Sequence, residues 1–541
     1  MALAAIAVPL AAGGPVAHAA PTAAAKLNEL AKTSPNREVV ALAQFKPGVS
    51  ETQAREIVRA NNGKVTDRLP AIGGLAVKLS AKHARALKTA NGVLNVTLNT
   101  KVKNTSIDSG NGALTTYAQT VGADQLHAAG LTGKGVGVAV IDSGIAGDHP
   151  DFKNADGSSR VTNVIANPGA TRPGDEVGHG THVASIVAGN SNNRPAGDPL
   201  KGSYTGIAPD ADLVAVKTAD DDGRSSVLDV INGLQFVVDH KDELGVQVVN
   251  LSVSSDTPDS YVNDPLDAAV EFAWHAGLVV VAAAGNRGDA ADAVQYAPGN
   301  DPYAISVGAI DENGTQTPSD DTVASFSSRG VTQDGFAKPD VLAPGAHIVA
   351  AAAAGSAFAA ACPQCITDGQ YFKMGGTSMA APVVAGAAAL ILQARPDLNP
   401  DQVKAILISA ATTTAAGPEL DVARALNAAP GAGANQGLTP NETVYAALTA
   451  AGLDPTRATW TKATWNSATW TRATWSSATW TSVQDGLAAD WARASWVCDA
   501  CVGGVNGADP TSSTWSQSTW SQSTWSQSTW SQSSWSSHPE W

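Results

Sequence analysis

Four short stretches carry residue types able to break a covalent bond. Asp142 ends the apolar run Val138-Ala139-Val140-Ile141 and is followed by Ser143-Gly144. An Asp at the carboxyl end of a parallel strand sits on the crevice edge where open α/β sheets place their sites, although Asp also caps helices. His179 and His182 lie in Gly178-His179-Gly180-Thr181-His182-Val183-Ala184, ahead of small residues that start a helix. Two His at this spacing, with Asp175 and Glu176 close by, also spell a partial metal site. Asn286 follows Ala283-Ala284-Gly285, either as a turn former or with its amide aimed at a developing oxyanion. Ser378 stands in Gly375-Gly376-Thr377-Ser378-Met379-Ala380-Ala381-Pro382. There the glycines allow a tight turn, and a helix amino end offers free N–H groups and positive potential. A Ser in that place caps the helix, attacks a carbonyl, or does both.

These residues need elements to hold them. Across 111–430, short apolar runs at 136–141, 213–216, 246–253, 278–284 and 304–307 alternate with amphipathic stretches at 226–240 and 265–275. Helical patterns follow at 378–393 and 401–410. Near-continuous Val-rich strands between helices predict a mostly parallel sheet covered on both faces. Residues 37–104 predict a separate, small α+β unit. It has strands at 39–45, 74–79 and 93–98, a helix at 50–61 opened by a Ser50–Gln53 capping box, and a helix at 81–89 after Ser80. So small a unit has a thin core and is expected to lean on another surface.

Length and charge narrow the class. A chain of 541 residues exceeds one ordinary core. A net charge of -15 argues against nucleic acid as a partner, because phosphate neutralisation needs clustered positive charge. Residues 1–110 hold 14 Lys and Arg against 6 Asp and Glu, and the rest hold 20 against 43. A basic head on an acidic body is either a nucleic-acid or membrane arm or a segment made to dock on that body. Residues 1–20 are small and apolar and end near Ala17-His18-Ala19, the form of a secretory signal, although no Lys or Arg precedes Lys26. No clean run of 18 apolar residues follows, so no transmembrane segment is predicted. Residues 427–456 read as linker. The final stretch, 457–541, holds 13 of the 14 Trp, many of them five residues apart. That reads as a low-complexity tail, or as a surface that stacks aromatics on glycans or cell-envelope material.

Taken in order, AVIDSGI, HGTHVA, AAGN and GTSMAAPVVAG resemble the subtilisin-like (subtilase, S8-type) serine endopeptidases over about 115–426. The resemblance implies an α/β fold, a subtilisin-like and predominantly parallel sheet flanked by helices. It implies Asp142, His179 and Ser378 as the triad, Asn286 as the oxyanion donor, and His182 as a non-catalytic neighbour. Ser252, Val253 and Ser254 resemble the strand that pairs with an extended substrate. Ser254 stands where the family usually has Gly, and is expected to reduce tolerance of large aromatic residues before the cut. Residues 37–104 resemble the family's inhibitor-like propeptide, a ferredoxin-like α+β unit acting in cis and removed by a cut between 104 and 116. The whole is then a secreted, extracellular, autoprocessed zymogen acting on proteins or peptides. No cofactor is required for catalysis, and structural calcium is an open expectation with no ligands assigned. The alternative is a surface or cell-wall adhesion protein whose subtilase-like scaffold is vestigial or only self-processing. Cys362-Pro363-Gln364-Cys365 lies in an insertion before the Ser378 motif, and Cys498-Asp499-Ala500-Cys501 lies between the Trp blocks. Disulfides within each pair are expected, with cross-pairing, zinc and redox roles left open.

Overall fold

The computed structural model describes residues 22–103, 106–108, 116–191, 197–198, 201–431, 433–450, 452–456, 489–490 and 496–498. The signal-like residues 1–20, Cys501 and the Trp repeats at 460–480 and 515–535 lie outside the described residues. Of Cys498 only the backbone is described.

The Val-rich runs become the centre of a ten-stranded sheet. Its order is Thr412–Thr413, Pro418–Glu419, Val341–Pro344, Ile305–Asp311, Val279–Ala283, Val246–Leu251, Gly137–Asp142, Asp212–Lys217 and Val161–Ile165, with Thr322–Val323 added beside Ile305–Asp311. From Val341–Pro344 to Val161–Ile165 every neighbouring pair is parallel. Strands buried on both faces need apolar side chains on both, which is why the central ones read as unbroken runs. Val161–Ile165 escaped that reading because it is the edge strand and exposes Thr162 and Asn163. Val341–Pro344 is short and ends in Pro.

Successive side chains of a strand point to opposite faces. Ile141 lies beneath Gly233 of the helix Val227–His240, whereas Asp142 abuts Gly180 of the helix His179–Ala188. The two helices therefore cover opposite faces. A methyl group at Gly180 would fall 2.2 Å from the Gly144 carbonyl oxygen, so only glycine lets the His179 helix come this close to the Asp142 strand. The helix Thr377–Ala394 is buried from Thr377 to Leu392 and packs across the central strands and the His179 helix. Its length and hydropathy would suit a membrane span, yet here it is the core of the sheet's packing.

The N-terminal unit is a four-stranded antiparallel sheet in the order Lys64–Leu69, Gly74–Ser80, Glu38–Phe45, Val93–Leu98. The Ser50–Gln53 capping box forms as expected. Ala41, Ala43 and Val77 face the unit's own core, while Leu42, Leu69, Ala71, Ile72 and Ala76 join the main one. The unit does lean on a second surface. Polar contacts finish the docking. The Asn99 side chain accepts from Leu228 N at 3.1 Å, and the Thr100 carbonyl accepts from Val227 N at 3.1 Å. Both satisfy N–H groups left open at the start of the helix Val227–His240.

Within 427–456, which reads as linker by composition, Glu442–Ala450 is a helix. Its Val444 and Leu448 are buried, and Asn441 N donates to Glu271 Oε2 at 2.7 Å. Small residues around it hide a single apolar stripe.

Asn441 closes over a group of buried acids. Asp264, Asp267 and Glu271 lie at or in the helix Pro265–His275, and Asp301 lies near them. Both carboxyl oxygens of Asp267 are buried without a hydrogen-bond partner. Burial, then the neighbouring acids, pushes the Asp267 carboxyl well above the usual range. Burial likewise pushes Asp301 up to about 7. A raised folded pKa gives stability that is complete below about pH 4 and is lost as the pH rises towards 7. Asp267→Asn, on an inactive background, is therefore expected to raise the thermal midpoint at pH 8 and to change it little at pH 4. Thermal unfolding at the two pH values checks this; equal effects at both would contradict it.

Candidate active site

Asp142 is the last residue of the strand Gly137–Asp142, at the carboxyl edge of the sheet. It is fully buried. Its Oδ1 accepts from Ser143 N at 2.7 Å and lies 2.7 Å from His179 Nδ1. A carboxylate acceptor there places the proton on Nδ1 and leaves Nε2 as the basic nitrogen.

His179 opens the helix His179–Ala188, and Asp175 fixes that opening. The Asp175 carboxylate accepts from Ser143 Oγ at 2.9 Å, Gly178 N at 2.7 Å, Thr181 N at 2.8 Å and Thr181 Oγ1 at 2.6 Å. Burial raises its pKa, and these hydrogen bonds oppose the rise. Hydropathy and spacing presented Asp175 only as a nearby carboxylate. The structure makes it the bracket between the Asp142 strand and the His179 helix. His182 belongs to the fold. It is fully buried, its ring meets the Phe372 carbonyl at 2.9 Å, and burial pushes it down to about 3, so it stays neutral. Among the described residues, no group of three or more His, Cys, Asp or Glu converges as metal ligands.

Ser378 lies in the first turn of the helix Thr377–Ala394. Its hydroxyl donates to the Ser252 carbonyl at 3.1 Å, and Ser252 Oγ donates back to the Ser378 carbonyl at 2.8 Å. Asn286 follows the strand Val279–Ala283 and is oriented by Thr377. Its Oδ1 accepts from Thr377 N at 2.9 Å and Thr377 Oγ1 at 2.7 Å. That fixes the amide and leaves Nδ2 buried with no protein partner. A donor held this way beside a nucleophile is what an oxyanion requires. Asn286→Ala is expected to lower kcat by roughly 10²–10³ with KM nearly unchanged, a loss of ~3–4 kcal/mol. Steady-state kinetics on a peptide amide checks it; a KM effect alone would contradict it.

Ser254–Ser255 form a short strand beside this centre. They pair antiparallel with Val102–Lys103, and Lys101 bridges Ser226 on the other side. Residues 101–103 of the N-terminal unit thus thread between two segments of the main body, heading for Ser252. Ser254 is half-buried, with Oγ near its own strand, whereas Val253 packs into the core and offers only its main chain. The acidic run 220–222 forms a turn tied to its surroundings. Asp221 accepts from Thr171 and pairs with Lys217 at 3.2 Å, contacts that help bring it down to about 2. Cys362 and Cys365 are joined in a disulfide, their Cα atoms 5.3 Å apart.

Residues 133–436 match the model of the subtilase family, Peptidase_S8. The chain is 43% identical over 284 residues to serine protease AprX of Bacillus subtilis (strain 168), covering 51% of this chain and 61% of AprX. It is 32% identical over 384 residues to subtilisin E of the same organism, covering 69% of this chain and 84% of that protein. Among solved structures it is similar to fervidolysin from Fervidobacterium pennivorans, a keratinolytic enzyme related to subtilisin. The TM-score is 0.57 at 25% identity, over 74% of this chain and 62% of that one.

Proposed function

The chain belongs to the subtilase family, and from that premise we propose that it is a secreted serine endopeptidase made as an autoprocessed zymogen. The observation that carries the reading is the fully buried His179–Asp142 contact at 2.7 Å, at the sheet edge that also holds Ser378 and Asn286. His179 takes the proton of the Ser378 hydroxyl as it attacks a peptide carbonyl. Asp142 holds the ring in the correct tautomer and stabilises the imidazolium. Asn286 Nδ2 donates to the carbonyl oxygen as it becomes an oxyanion. His179 then protonates the departing amine, and a water activated by His179 hydrolyses the acyl-enzyme. No step calls on a cofactor.

Residues 37–104 act as the propeptide in cis. The pairing of Lys103 with Ser254 supports this, because an extended substrate binds by the same main-chain pattern. The cut is proposed within 104–116, soon after the paired residues Val102–Lys103. The Trp-rich tail is the part proposed to meet the cell envelope. The deciding experiment is labelling of the expressed protein with a fluorophosphonate, with mass mapping of the adduct, N-terminal sequencing and casein hydrolysis. The expected result is an adduct on Ser378, a new N-terminus from a cut within 104–116, and hydrolysis. A chain that is unlabelled and inert towards casein would instead favour the adhesion protein with a vestigial scaffold.

A further inference from the structure

We propose that the segment between the strands Ile348–Ala351 and Tyr371–Met374 positions His179, with Phe358 as its contact and the Cys362–Cys365 disulfide as its clasp. This rests on the hydrolytic reading above. The segment is stitched to the turn that delivers His179. Ala357 N donates to the Glu176 carbonyl at 2.7 Å, and Phe358 N donates to the Val177 carbonyl at 3.0 Å. Between them Gly178 has φ of 102°, and a side chain there would fall 2.6 Å from Ser356 Oγ. The two chains touch with no room for another atom.

Phe358 is buried, and its ring stands edge-to-face with the His179 imidazole, centroids 6.3 Å apart at 86°. On its other flank lies Phe372, at 6.2 Å. The Phe372 carbonyl meets His182, one turn along the same helix. Asp142 holds the Nδ1 edge of the imidazole, and the Phe358 ring limits rocking about that hydrogen bond. The disulfide seats Phe358 in turn. Cys362 N donates to the Phe358 carbonyl at 3.0 Å, closing the helix Ala357–Ala361, and Cys365 leads into Ile366–Thr367, which pairs with the Phe372 strand. Both cysteines are buried. The backbone of Ser106–Asp108 runs beside Tyr371–Met374.

The role predicts a particular asymmetry. A poor amine leaving group needs the His179 proton delivered in line, whereas an activated ester leaves without it. Loss of alignment of about 1 Å costs up to ~10²-fold where geometry matters. Phe358→Ala is therefore expected to lower kcat on a peptide amide by ~10–100-fold, and on an activated ester of the same acyl group by less than ~3-fold. Phe358→Tyr is expected to restore the ratio. Treating the mature wild type with a water-soluble phosphine should lower the same ratio several-fold, with recovery on reoxidation. In that step the disulfide takes up two electrons and two protons to give two thiols, and the phosphine takes oxygen from water to become its oxide. Rates are expressed per fluorophosphonate-titrated site, so unfolded molecules do not count. If Phe358→Ala does not mature, the phosphine arm stands alone on the wild type. An unchanged amide-to-ester ratio per titrated site, in the variant or after reduction, overturns the proposal. A wild type with no titratable site overturns the hydrolytic reading instead.

Discussion

Ser378→Ala is expected to accumulate as an uncut chain, with its N-terminal unit attached and no hydrolysis of casein. In the proposed mechanism the nucleophile is the one group that nothing else replaces. Removing it from a triad costs on the order of 10⁶ in kcat, and residual rates come from binding and the oxyanion donor alone. The fold should survive. The hydroxyl donates to the Ser252 carbonyl, while its helix is held by burial from Thr377 to Leu392. The docking of the N-terminal unit should survive too, because Val102–Lys103 pair with Ser254–Ser255 through main-chain groups that the substitution leaves alone. Intact mass, gel analysis and N-terminal sequencing read the outcome. A variant that still cuts itself within 104–116 and still digests casein would remove Ser378 from the mechanism.

Asp142→Asn is expected to lower kcat by about 10⁴ at neutral pH while leaving the protein folded. The substitution is nearly isosteric. It removes the charge that stabilises the imidazolium, and one amide rotamer turns its NH₂ towards His179 Nδ1 and holds the wrong tautomer. The site offers no relief by water, since both side chains are fully buried. Because Oδ1 meets both Ser143 N and His179 Nδ1, that rotamer also takes the acceptor from the Ser143 N–H, at some cost in stability. Kinetics on a peptide amide, beside thermal unfolding, separates chemistry from stability. Near-normal kcat in a folded variant would mean that His179 needs no carboxylate.

Much of this centre was legible before any coordinates. Val-rich runs announced a parallel sheet because strands covered on both faces need apolar side chains at every position. Asp142, His179, Asn286 and Ser378 stood out because each sits at an element boundary with small residues around it, and boundaries are local features. What was not legible depends on contacts distant in the chain. Asp175 looked like any acid near two histidines until Ser143 and Thr181 arrived around it. The edge strand Val161–Ile165 lacks an apolar run because one side of it meets water. The helix Glu442–Ala450 hides in a Gly- and Ala-rich stretch, and only the surface around Glu271 makes its docking worthwhile.

The sequence by itself therefore determined which chemical groups are present, the kind of element that carries each, and the family that arranges them so. Tertiary structure alone decided their orientation. It turned the Asn286 amide by giving Thr377 to its oxygen, closed Asp175 over the His179 turn, set Phe358 against the imidazole, and laid residues 101–103 beside Ser254. The physical reason is one of range. Periodicity and turn chemistry act between near neighbours in the chain, and so leave a pattern that can be read. A hydrogen bond or ring contact between distant segments leaves none, because its geometry exists only once the sheet has brought both partners to the same edge.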